Sequence, residues 1–180
     1  MLPNCRIILV ENKEESLRRA ESRVKTLGLP NVSFFQCNLD YFTGHFEIGV
    51  ALHACGTATD LVLAKCVQKR ASFVCCPCCY GAIQSNHMLH YPRSSTFLDI
   101  VSSSNGLFSL KHYFVLGHAA DQTHDEANEK TSQGNFCMRM IDTDRCFHAQ
   151  ENNYQVILRR MQPFTCSPKN HILVGVPLPS

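Results

Sequence analysis

The apolar positions of this chain come in two rhythms. Short continuous runs, typical of strands in a parallel sheet, alternate with stretches in which apolar residues recur every three or four positions. Arg6 to Val10 is the first run and closes on Glu11. Leu17, Ala20, Val24 and Leu27 then form one helical stripe. On the wet face, Glu14 and Arg18, Glu15 and Arg19, and Glu21 and Lys25 are spaced as favourable pairs. Asn12 is the expected helix cap, with Glu15 completing a capping-box variant, while Gly28 and Pro30 mark the end. Val32 to Cys37 is the next strand, followed by Asn38, Leu39 and Asp40.

After a polar loop through Gly44 and His45, the pattern repeats. Ile48 to Leu52 is a nearly continuous apolar run ending at His53, Ala54, Cys55 and Gly56. Thr57 opens a helix, with Asp60 placed to complete a capping box. Leu61, Leu63, Ala64, Cys66 and Val67 supply its apolar side, and Lys69 and Arg70 complement its C-terminus. Ser72 to Cys76 is again short and apolar, and Pro77 ends it. Two strands joined by a helix form a right-handed unit with parallel strands. Ligands gather at the carboxyl ends of such strands. Here those ends are His53 to Gly56 and Cys76 to Gly81, where the polar and thiol chemistry is concentrated.

The rest is less regular. Ser95 or Thr96 caps a short helix through Phe97, Leu98, Ile100 and Val101, stopped by Asn105 and Gly106. Ser109 opens a helix carrying Leu110, Tyr113, Phe114 and Gly117, with a strand as the alternative. Asp121 to Gln133 is polar and reads as a mobile loop. Phe136 to Gln150 reads as a helix with ordinary helical charges. Tyr154 to Met161 and Ile172 to Val176 suit an antiparallel hairpin closing the sheet. The alternation predicts one α/β domain over residues 1–180 with a mostly parallel sheet.

Composition narrows the function classes. Hydrophobic residues make up 44% of the 180 positions and charged ones 18%, so the chain can bury a core. A net charge of +2 implies no nucleic-acid footprint by itself. The apolar runs are too short to span a bilayer and no secretory signal is visible, so no membrane partner is expected. Eleven cysteines, an odd count, argue for reduced thiols and a cytoplasmic setting. Cys5, Cys37, Cys66, Cys137 and Cys146 sit in apolar patterns and read as small hydrophobes.

Several residues carry candidate chemistry. Glu11, at a strand end before a helix, suits the ribose hydroxyls of a nucleotide, or else complements the helix macrodipole. Asp40 could meet an adenine amino group or be an ordinary turn residue. His53 and Cys55 either wall a pocket or fill core space. Cys75, Cys76, Cys78 and Cys79 offer four thiolates to zinc. Adjacent strand residues point to opposite faces, however, so Cys75 and Cys76 cannot easily share an ion. His87 and His90 are the outside ligands within reach in sequence, and no metal ligand set is assigned. No G-x-G pair occurs, so there is no glycine-rich first turn and no P-loop.

The Ile7 to Glu11 strand, its capped helix, Val32 to Asp40 and the segment Leu52-His53-Ala54-Cys55-Gly56-Thr57-Ala58-Thr59-Asp60 resemble the middle motifs of class I S-adenosylmethionine-dependent methyltransferases. With the following Cys-Cys-Tyr motif they are similar, more narrowly, to the group that includes tRNA 2′-O-methyltransferases. The resemblance implies a Rossmann-like class I sheet, mostly parallel with a C-terminal antiparallel hairpin. The first strand and glycine-rich loop of that fold are lacking, so the chain is expected to be an N-terminally incomplete form or short isoform. S-adenosylmethionine is the implied cofactor once the missing part is present. Glu11, Asn38, Asp40, His53 and Ala54 would bind it, while Cys55, Cys78, Cys79 and Tyr80 would border the acceptor. His53 or Asp60 would serve as base for a hydroxyl acceptor. The acceptor itself, whether RNA, protein or small molecule, stays open. A non-catalytic binding module of the same fold and a cysteine-rich metal-binding module are the alternatives. The wider resemblance is to proteins that join such a domain to an upstream glutathione S-transferase-like part; no glutathione site is expected in residues 1–180.

Overall fold

A computed structural model describes residues 4–123 and 129–179. The chain divides into two compact units, Met1–His45 and Phe46–Ser180. In the first unit, β1 (Ile7–Glu11) and β2 (Val32–Gln36) pair in parallel, from Ile7 opposite Val32 to Glu11 opposite Gln36. Between them runs α1 (Glu14–Thr26), which buries Leu17 and carries the expected Glu14–Arg18 and Glu15–Arg19 ion pairs. Its start differs from expectation. Asn12 does not cap; instead the Glu11 carboxylate accepts the Lys13 amide at 2.9 Å, and the Asn12 side chain reaches across to Asn38 Oδ1 at 3.1 Å. Gly28 follows the helix at a φ of +61°, the left-handed conformation in which glycine carries no side-chain penalty. A 3₁₀ turn, Leu39–Tyr41, carries Asp40.

The second unit holds a four-stranded sheet of order β3-β4-β6-β5. Strands β3 (Ile48–Leu52) and β4 (Ser72–Cys76) are parallel, joined by α2 (Thr57–Lys69). The hairpin β5 (Tyr154–Arg160) and β6 (His171–Pro177) is antiparallel, as the pattern predicts, and β6 runs antiparallel to β4. Between β4 and β5 lie α3 (Ser95–Ser103), α4 (Leu110–Ala120) and α5 (Glu129–Glu151). α3 is capped by Ser94, one residue before the two candidates, whose hydroxyl accepts the Phe97 amide. Ser109 opens α4 in a reciprocal box with His112. Residues 129–133, expected in a loop, begin α5, and positions 124–128 of that stretch lie outside the described residues.

Two apolar cores hold this unit. One gathers Leu63, Cys66, Phe73, Cys75, Ala149, Tyr154 and Leu173 between the sheet, α2 and α5. Phe73 stacks on Tyr154, their centroids 5.6 Å apart, and lies over its ladder partner Gly175, where a Cβ would meet the ring. The Tyr154 hydroxyl donates toward the carbonyls of Cys66 and Ala71, both at 2.9 Å, and so fastens the α2–β4 turn. The other core gathers Tyr80, Leu89, Tyr91, Phe97, Tyr113, Met138 and Ile141.

Between these apolar groups lies a charged interior. Arg145 is 1% exposed and grips Asp60 with two bonds of 2.7 and 2.9 Å and Asp142 with one of 2.9 Å. Tyr91 donates to Asp60, Tyr80 and His171 meet Asp142, and Tyr113 and Ser94 donate to Asp144. The capping box expected of Thr57 and Asp60 is therefore absent. Gly56 is the N-cap residue, and Asp60 turns inward to a partner 85 positions away.

Candidate functional site at the strand ends

The carboxyl ends of β3 and β4 are built as one structure. The ladder between the strands continues past them: the His53 amide donates to the Cys76 carbonyl at 3.1 Å, and the Gly56 amide to that of Cys79 at 2.8 Å. To make this exit the backbone turns left-handed twice, at His53 with φ +58° and at Gly56 with φ +56°. Such a conformation is uncommon for a residue with a side chain and collects where geometry serves a ligand. At Gly56 a Cβ would lie 2.8 Å from the carbonyl oxygen of Ala82, so only glycine fits. Thr59 Oγ1 ties the first turn of α2 back to the Ala54 carbonyl.

The β4 exit is fastened from the other side. The carboxylate of Asp121 accepts the amides of Tyr80 at 3.0 Å and Gly81 at 2.8 Å, and Lys169 Nζ stands 3.1 Å from it. Burial raises the Asp121 pKa, but these two amides and the lysine outweigh it and hold the carboxyl below its ordinary range. The Tyr80 ring is fully buried, with its hydroxyl on Asp142 at 2.8 Å and Arg145 over its face. Burial, followed by the Asp142 charge, pushes its pKa well up.

This exit brings together His53, Ala54, Cys55, Cys78 and Cys79. His53 and Cys55 are exposed, and Cys78 and Cys79 are half-buried. The three sulfurs form a triangle with Cys55 3.1 Å from each of the others and Cys78 3.6 Å from Cys79. Burial, then its thiol neighbours, raise the Cys78 pKa; at Cys79 the contact with Cys55 is the chief cause. Cys75 and Cys76 lie elsewhere. Cys75 is in the core, and Cys76 faces the sulfur of Met161 at 3.8 Å. Two further expected site residues are interior groups. Asp60 is 0% exposed with both oxygens engaged, and Tyr80 presents only its backbone to the exit.

Glu11, Asn38 and Asp40 belong to the first unit. There the Asn12–Asn38 bond and the Cys37 amide, which donates to the Glu11 carbonyl at 3.2 Å, draw the ends of β1 and β2 together. Two hollows, of about 130 and 390 Å³, are lined by α5 and the β5–β6 hairpin, with Arg160 and Phe164 common to both. None of His53, Ala54, Cys55, Cys78 and Cys79 lines either hollow.

A family described as a methyltransferase domain matches residues 2–86, the stretch that holds both pairs of strand ends. Over those residues the chain is methyltransferase-like. It is 50% identical over 179 residues to the glutathione S-transferase C-terminal domain-containing protein homolog of Drosophila melanogaster, covering 97% of this chain and 29% of the relative. To the glutathione S-transferase C-terminal domain-containing proteins of Mus musculus and Homo sapiens it is 48% and 47% identical, covering 99% of this chain and 27% of each relative. The chain thus spans less than a third of the length of the curated relatives it matches. Among the described residues, no helix is long and apolar enough to cross a membrane.

Sequence reasoning missed Asp121, Asp142, Arg145 and Lys169, which hold Tyr80, Gly81 and Asp60 from elements far along the chain, and Asp144, which holds Ser94 and Tyr113. For Asp142, Asp144 and Arg145 the signal was faint: two acids and an arginine within four positions of one helix, on the side that also carries Ile141.

Proposed function

We propose that this methyltransferase-like domain serves a class I, S-adenosylmethionine-dependent site, with a Rossmann-like arrangement of its strands. In this reading Glu11 takes the ribose hydroxyls, Asn38 and Asp40 line the adenine, and His53 and Ala54 face the methyl donor. Cys55, Cys78 and Cys79 border the acceptor. The observation that supports it best is the doubly left-handed exit His53–Gly56, fastened to β4 within the family's matched stretch. Methyl transfer is an in-line displacement, in which the acceptor's nucleophilic atom bonds the methyl carbon as the carbon–sulfur bond breaks. Placing the two reactants accounts for most of the catalysis. Exposed His53 is then the group able to take a proton from a hydroxyl acceptor. Asp60, sealed against Arg145, positions α2 and takes no proton from substrate. The acceptor class is RNA, protein or a small molecule.

The chain contains no G-x-G turn to admit the donor's backbone-proximal edge, so residues 1–180 alone bind the donor weakly. The experiment uses labelled S-adenosylmethionine and a form extended at its N-terminus by a strand and a glycine-rich turn. Binding by the extended form, weakened about tenfold or more by Glu11→Ala through loss of charge-assisted hydrogen bonds, is the expected result. Absence of binding, or indifference to Glu11→Ala, overturns the reading.

A further inference from the structure

We propose that Cys55, Cys78 and Cys79 form a binding site for a thiophilic divalent cation, zinc, with its fourth coordination position open to solvent. Their three sulfurs lie within 4.8 Å of one another, and no other group of three such ligands occurs among the described residues. The donor set is all sulfur, which selects zinc and cuprous ions over hard cations. A zinc–sulfur bond of about 2.3 Å in tetrahedral geometry sets sulfur–sulfur edges near 3.8 Å. The edges here are 3.1, 3.1 and 3.6 Å, so the triangle admits an ion by opening each edge by no more than about 0.7 Å.

The scaffold under the triangle is rigid. The Gly56 amide donates to the Cys79 carbonyl, which ties the segment bearing Cys55 to that bearing Cys79. Asp121 holds the residues immediately after Cys79. Ligands presented by two loops locked to each other need little reorganisation to close on an ion. Cys55 is exposed, so the outer side of the triangle is reachable by an ion and by a fourth, external donor. Three protein ligands and an open position is the pattern of zinc sites that bind a further ligand, whereas closed four-ligand sites are structural. These are the residues placed at the acceptor border in the proposed function, but donor binding is read at Glu11 and zinc binding at the three thiols, so either can fail while the other stands.

The test uses the reduced 180-residue chain, prepared metal-free and titrated with cobalt(II) and then zinc. One equivalent of cobalt producing thiolate charge-transfer absorption and tetrahedral d–d bands, bleached by one equivalent of zinc, is the expected result. Cys55→Ser, Cys78→Ser and Cys79→Ser should each weaken zinc binding by about 100-fold or more, since even an outer-shell change costs 10- to 100-fold. Cys76→Ser should leave it unchanged. Thiol labelling supplies a readout that needs no variant: zinc should protect three thiols from alkylation. Absence of the cobalt bands, bands that persist in Cys55→Ser, or binding of cuprous ion without zinc would each overturn the assignment.

Discussion

Replacing Arg145 with methionine isolates the charged interior of the second unit. Methionine fills much of the aliphatic volume but removes a guanidinium that makes three charge-assisted bonds to two carboxylates, each 0% exposed. Taken singly, such bonds are worth about 1.5–3 kcal/mol each. Their plain sum overstates the effect, because neighbouring hydroxyls still serve both acids: Tyr91 donates to Asp60, and Tyr80 donates to Asp142. The governing quantity is the cost of leaving buried charge without its partner, about 3–5 kcal/mol. For a unit of this size that corresponds to a fall in Tm of about 10 °C or more. Equilibrium unfolding in urea, followed by far-ultraviolet circular dichroism, measures it directly. A double-mutant cycle with Asp60→Asn should return a coupling energy of more than about 1 kcal/mol, as expected for groups in one network. If Arg145→Met stays within about 1 kcal/mol of the parent, the interior is held by packing alone and the reasoning is refuted.

Two further perturbations probe the strand exits. Gly56→Ala sets a Cβ 2.8 Å from the Ala82 carbonyl in a left-handed backbone and should destabilise the fold by about 2 kcal/mol, read from the urea midpoint; an unshifted midpoint contradicts the description of this turn. Asp121 has a carboxyl held below its ordinary range, so it stabilises the fold above the unfolded-state value of about 3.9, and that stabilisation is lost as pH falls through the folded value. Asp121→Asn should therefore lower stability at pH 7 and flatten its decline in acid, and a parallel decline in both proteins would exclude the carboxylate as the cause.

The strands and α1 were legible because their signals are local. Leu17, Ala20 and Val24 share a stripe, and the runs Ile48 to Leu52 and Ser72 to Cys76 have strand length. The hairpin was legible for the same reason, and its register follows from the alternation in β5 and β6. Capping was legible at Ser109 but not at Asn12 and Asp60, which had stronger partners at a distance: Asn38 for the one, Arg145 for the other. A local pattern cannot weigh an ion pair that the fold creates later. The thiol triangle was half legible. Cys78 and Cys79 stood out as a cluster, but the third sulfur comes from the neighbouring exit, brought into register by the parallel pairing of Leu52 with Cys76. Two adjacent cysteines of that cluster, Cys75 and Cys76, drew attention they do not merit, because strand geometry sends one into the core and the other toward Met161.

The carboxylate that fastens Tyr80 and Gly81 stands at position 121, and the matched methyltransferase stretch ends at residue 86. The boundary by which the family is recognised is therefore not the boundary of what can hold its own shape. A fragment cut at residue 86 would keep every motif residue and surrender the brace behind them, along with the arginine that Asp60 turns to meet. Motif and support belong to one folded piece, and any transplant of this exit into another scaffold must carry its distant carboxylate along.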